Sequence, residues 1–118
     1  MAAPNIVNVA SIVGKTTVAD VTTTLTSIVT NNTADSVYKI NTIIVSNIDG
    51  TTDVDFSLSL TRASTPFYVV KTVSVVADSS FTPIDKSTVL YLEEGDILQA
   101  IASSNSKLQI LISYEIIS

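Results

Sequence analysis

The sequence predicts an all-β fold: a single antiparallel β-sandwich, jelly-roll or Ig-like, with seven to nine strands. Three observations carry this. Val, Ile and Thr fill 45 of 118 positions, and β-branched side chains are stiff at χ1 and pack well on a pleated surface. Several segments alternate apolar and polar residues strictly, the period of a half-buried strand. Polar, turn-forming clusters separate these segments at regular spacing, and no segment shows a convincing helical period.

The elements follow in order. Asn5 to Val13 reads as a short strand. Residues 1–13 fit either an extended N-terminal arm, opening with Pro4 and uncharged until Lys15, or an ordinary first strand. Gly14 to Thr17 reads as a turn, and Val18 to Val21 fits strand and loop equally. Thr24 to Thr30 and Tyr38 to Ile48 are strands joined by the connection Asn31 to Ser36. Val54 to Arg62 alternates cleanly and should turn Phe56, Leu58 and Leu60 inward. Phe67 to Val76, Thr88 to Leu92, Ile97 to Ala102 and Leu108 to Ile116 complete the set, with Ala77 to Ser87 as a long connection. Asp49-Gly50 should supply the positive φ of a hairpin, and Glu93 to Asp96 should turn in the same way.

A chain of 118 residues forms one domain, 1–118, large enough to bury most of the surface it exposes when unfolded. Charged residues make up 14% of it, against about 25% in an average soluble domain. The net charge is −5, and Lys15, Lys39, Arg62, Lys71, Lys86 and Lys107 are scattered. A phosphate-backbone binder clusters such residues on one face, so nucleic acid is not an expected partner. No signal peptide is readable in the first residues, and no run approaches the roughly 20 apolar residues of a membrane helix.

The catalytic inventory is thin. His, Cys and Trp are absent, which removes the usual neutral-pH proton carrier, the thiol nucleophile and any disulfide. Serines abound without a histidine to activate them. Gly14-Lys15-Thr16-Thr17 resembles the end of a phosphate-binding loop, but Val9 stands where its first glycine belongs. The carboxylates Asp49, Asp53, Asp55, Glu93, Glu94 and Asp96 invite a calcium reading. An EF-hand aligned on Gly50 puts Val45 and Phe56 at ligand positions, so solvated turn carboxylates are the better reading. The same groups make a poor glycosidase pair, because three of them crowd one turn. Asn31-Asn32-Thr33 matches a glycosylation acceptor without any secretory context. The expectation is a non-enzyme with no catalytic residue, no cofactor and no metal.

Two strands carry apolar residues on both faces. Ile40 and Ile44 share one parity of Tyr38 to Ile48, and Ile43 and Val45 the other; Leu111 and Ile117 oppose the Leu108 to Ile116 series. A strand apolar on both faces is usually covered on both, by a second copy or a partner surface. The candidate interface residues are therefore Ile6, Val7, Val9, Ile43, Val45, Leu111 and Ile117.

Three segments also carry a resemblance: Met1 to Val9, Tyr38 to Thr51 and Tyr91 to Leu98. They resemble a family of small β-rich virion proteins in tailed phages of marine bacteria, the cyanophages and their relatives, and the similarity runs on to Ser113-Tyr114-Glu115. The resemblance implies a virion structural role. A capsid decoration or cement protein would dock on the major capsid protein or other virion proteins and self-associate on the capsid exterior, after synthesis in the host cytoplasm. A tail or fibre component is the alternative. A host-surface carbohydrate-binding module is a third, disfavoured by seven aromatics and no Trp.

Overall fold

The computed structural model describes residues 10–118. It forms nine strands: β1 (Ile12–Val21), β2 (Thr26–Thr30), β3 (Val37–Asn47), β4 (Val54–Arg62), β5 (Thr65–Val75), β6 (Ser80–Ile84), β7 (Leu90–Leu92), β8 (Ile97–Ala102) and β9 (Leu108–Ile117). They build two antiparallel sheets. One runs β1-β9-β3-β6, with β7 also on β3; the other runs β2-β8-β4-β5. Successive strands cross between the sheets except at the β4–β5 hairpin and between β6 and β7. That is the jelly-roll order, one of the two forms expected.

Each sheet turns one face inward. Val21, Ile43, Val45, Ile110 and Ile112 from the first sheet meet Val54, Phe56, Leu58, Leu98 and Ala100 from the second, all fully buried. Burial of side chains this size stabilises by roughly 1.5–3 kcal/mol each relative to exposure. At one end the Tyr38 and Tyr114 rings stack at 5.5 Å. The Tyr114 hydroxyl lies 3.0 Å from Thr17 Oγ1, and that of Tyr38 lies 2.9 Å from Thr33 Oγ1. Buried Tyr hydroxyls need such partners.

Ile43 and Val45 are core residues with no exposed surface, not members of an outer face. The register of β3 on β9 shifts between Ile40 and Thr42. Such a bulge inserts one extra residue and flips the parity of everything beyond it. Ile40 and Ile43 therefore face the same way, into the core, and Ile44 faces out.

Other expectations are corrected. Gly14 to Thr17 is no turn: it lies in the middle of β1, with Gly14 opposite Glu115 and Thr17 opposite Ile112. The long connection after β5 holds β6, whose Pro83 sits where the pairing with β3 is irregular; Pro is tolerated at such edge positions. Asp49-Gly50 closes no hairpin, since β3 and β4 belong to different sheets. Gly95, with φ of 90°, does supply a left-handed turn residue. Leu60 stands on the same side as Phe56 and Leu58, opposite Leu98, but at an open end where it is only half-buried.

Candidate docking surface

The outer face of β1, β9 and β3 is built from directly opposed residues. Val18 stands opposite Leu111, and Leu111 opposite Ile44, so one apolar row crosses three hydrogen-bonded strands. Val18 is 67% exposed and Leu111 38%. Polar rows flank it. On one side lie Thr16, Ser113 and Thr42, the first two with hydroxyls 3.1 Å apart. On the other lie Asp20, Gln109 and Ser46. Val18, Asp20, Gln109 and Leu111 also line a shallow depression at this place. An apolar centre with a polar rim is the anatomy of a protein–protein contact.

Of the candidate interface residues in the described part, only Leu111 lies open. Ile117 also faces outward, opposite Ile12 and Val37, but is 5% exposed. Ile43 and Val45 are in the core, as described above. Ile6, Val7 and Val9 lie outside the described residues. Val18 and Ile44, which sequence reasoning did not single out, complete the row. The signal for Val18 was its single apolar side chain between Thr16 and Asp20, two polar residues of the same parity.

A second apolar opening lies between β5 of one sheet and β7 of the other, lined by Leu60, Phe67, Val69, Leu90 and Tyr91. Phe67 is 60% exposed there. Arg62 at its rim is committed elsewhere. Its Nε and Nη2 donate to Asp96 at 2.8 and 2.6 Å, and Nη2 also reaches Glu93 at 2.9 Å. These bonds, the one to Asp96 foremost, raise the Arg62 pKa further above its ordinary value. Asp96, 1% exposed, also accepts the Glu93 backbone N–H, so this carboxylate cluster is an internal clasp.

The remaining carboxylates serve turns. Asp49 accepts the N–H of Thr52 at 2.7 Å and pairs with Lys107 at 3.3 Å. Hydrogen bonding from Thr52, then the Lys107 ammonium, lowers its pKa to about 2. Asp53 accepts the N–H of Ala77. Among the described residues no three carboxylates converge on one point. Asn31, the glycosylation match, is fully buried; its Nδ2 donates to the carbonyls of Ser36 and Leu92 at 3.0 and 2.9 Å. Asn47 holds Thr52 and Val75 in the same manner. An Asn bound this way is a structural clasp and offers no free amide to a glycan.

No family model and no curated protein matches the sequence. A solved structure of a Bacillus endospore appendage, from a family of disulfide-linked pili, superposes with a TM-score of 0.56 at 14% sequence identity, covering 100% of this chain and 96% of that one. At that identity the likeness shows the sandwich fold. The present chain has no cysteine with which to form a disulfide.

Proposed function

We propose that this chain is a non-enzymatic structural protein of a phage virion, a capsid decoration protein that docks on the major capsid protein shell. The observation that carries the proposal is the exposed row Val18–Leu111–Ile44 on a sheet whose backbone is held by ladder hydrogen bonds. A large aliphatic side chain contributes about 1.5–3 kcal/mol when fully covered, before association costs. The row therefore favours a partner surface over water. Jelly rolls recur in viral capsid domains, and the segments that resemble marine phage virion proteins point the same way. The likeness to a pilus subunit favours a second reading, a multicopy tail or fibre component.

The test adds protein to undecorated particles and counts bound copies. Leu111→Asp places a charge in the row and should lower occupancy at least tenfold, while Thr88→Asp, in an exposed loop, should bind as wild type. Wild-type occupancy by folded Leu111→Asp overturns the docking face. Few copies per particle, localised to the tail, would favour the second reading.

A further inference from the structure

We propose that a second copy of this chain pairs with the free side of β1, strand against antiparallel strand, about a two-fold axis at Val18. The inference goes beyond the docking role and does not depend on what the assembled copies sit on.

The four edges of the sandwich are not equivalent. Natural sheets blunt their edges with short strands, bulges, Pro and Lys. β2 has five residues and a register shift between Ser27 and Val29. β6 has five residues, with Pro83 at an irregularity, and β7 has three. β5 is long but carries Pro66, two shifts against β4, and Thr72 at φ of 57° with its N–H turned onto Ser57 Oγ. β1 alone is long and regular: ten residues in unbroken register with β9. Among the described residues no strand lies on its other side. Its Ile12, Val13 and Val18 are 56, 49 and 67% exposed.

Such an edge takes another strand, and the residues of β1 select which one. A two-fold axis normal to the sheet keeps outward residues outward, so each residue meets one of its own parity. An axis at Lys15 or at Asp20 sets like charges directly opposite, which is destabilising. At Thr16, Ile12 meets the partner's Asp20; at Thr17, Val18 meets the partner's Thr16. At Val18, valine meets valine, Thr17 meets the partner's Ala19, and Thr16 meets the partner's Asp20. In this register alone the row Ile44–Leu111–Val18 continues into the partner's Val18, the partner's Leu111 and the partner's Ile44. The contact is isologous and closed, so it yields a dimer and not a filament.

The chain contains no cysteine, so single-cysteine variants report without background. Directly opposed residues of antiparallel strands have Cα atoms about 4.5–5.5 Å apart, within disulfide reach. Under mild oxidation of purified protein at micromolar concentration, Val18→Cys should convert almost entirely to a covalent dimer. Ser87→Cys, in an exposed loop, should stay monomeric. Thr16→Cys should cross-link to Asp20→Cys on mixing and not to itself. In parallel, Val18→Asp and Val18→Lys should each elute at the monomer mass and double that mass on mixing. This second pair serves if the cysteine variant does not fold. Val18→Cys cross-linking no faster than Ser87→Cys, equal self-linking of Thr16→Cys, or no gain in mass on mixing the charged variants would overturn the proposal. Each of these outcomes is independent of whether the protein binds capsids.

Discussion

Ala63 and Ser64 turn the β4–β5 hairpin with φ of 51° and 65°, and the two residues between Arg62 and Thr65 make a loop in which both central positions are left-handed. That geometry matches strand twist and normally selects Asn-Gly. Here neither residue is glycine, and the left-handed region costs an ordinary residue roughly 1–2 kcal/mol. Ser64→Gly should therefore raise stability by about 0.5–1 kcal/mol, after the larger unfolded-state entropy of glycine is subtracted. The denaturant midpoint measures it. Asp49 is the second residue with a defined consequence. Its folded pKa, about 2, lies below its ordinary 3.8, so its contribution is present above pH 4 and is lost as pH falls towards 2. Denaturant midpoints of the wild type should fall more steeply over that window than those of Asp49→Asn, which keeps an acceptor and does not titrate.

At the scale of elements, alternation located most strands, and Val54 to Arg62 matches β4 at both ends. What stayed hidden has physical reasons. A bulge in a strand where both faces are aliphatic leaves no mark in residue order, so the register shift beside Asn41 sent Ile43 and Val45 to the wrong face and concealed Ile44. β6 reads as loop because Ser, Asp and Pro surround it, and an edge strand tolerates them. The stretch Gly14 to Thr17 inside β1 reads as a turn because Gly14 opens it, yet a Cβ there would meet nothing within 4 Å; the glycine marks open space. Leu111 alone among the described candidates lies on an open face. The Arg62–Asp96 clasp joins the end of β4 to the β7–β8 turn and was not legible, since its partners lie 34 residues apart in sequence and meet only through the β4–β8 pairing. Arg62→Met leaves a buried carboxylate with only the Glu93 N–H. It should cost about 2–3 kcal/mol, less than a fully buried pair because Arg62 is half open to water. Chemical denaturation checks the value, and Arg62→Met combined with Asp96→Asn should recover part of the loss.

For the whole molecule, the decisive fact is that the two sheets are knitted by strands distant in sequence. β1 lies on β9 and β3 on β9, while β2 lies on β8. Most pairings therefore close long loops before they are rewarded, which places folding in the millisecond-to-second range of all-β domains. A stopped-flow refolding trace with a microsecond main phase would contradict this account.

The first and last described residues are themselves paired. Ala10 and Ser11 donate to the Ser118 carbonyl at 2.7 and 3.0 Å, and Ser118 N–H returns a bond to Ser11 at 2.9 Å. In terms of connectivity the described chain is a nearly closed ring, and the place where it is cut is incidental to the fold. A circular permutant with Ser118 linked to Ala10 through a short Gly-Ser bridge, and reopened in the exposed connection between Lys86 and Ser87, would keep every strand pair. It should fold to the same far-ultraviolet circular dichroism spectrum with a melting temperature within a few degrees. The same pole then becomes an uninterrupted surface, and cargo fused at the new ends would emerge away from the place where Ala10 and Ser118 meet.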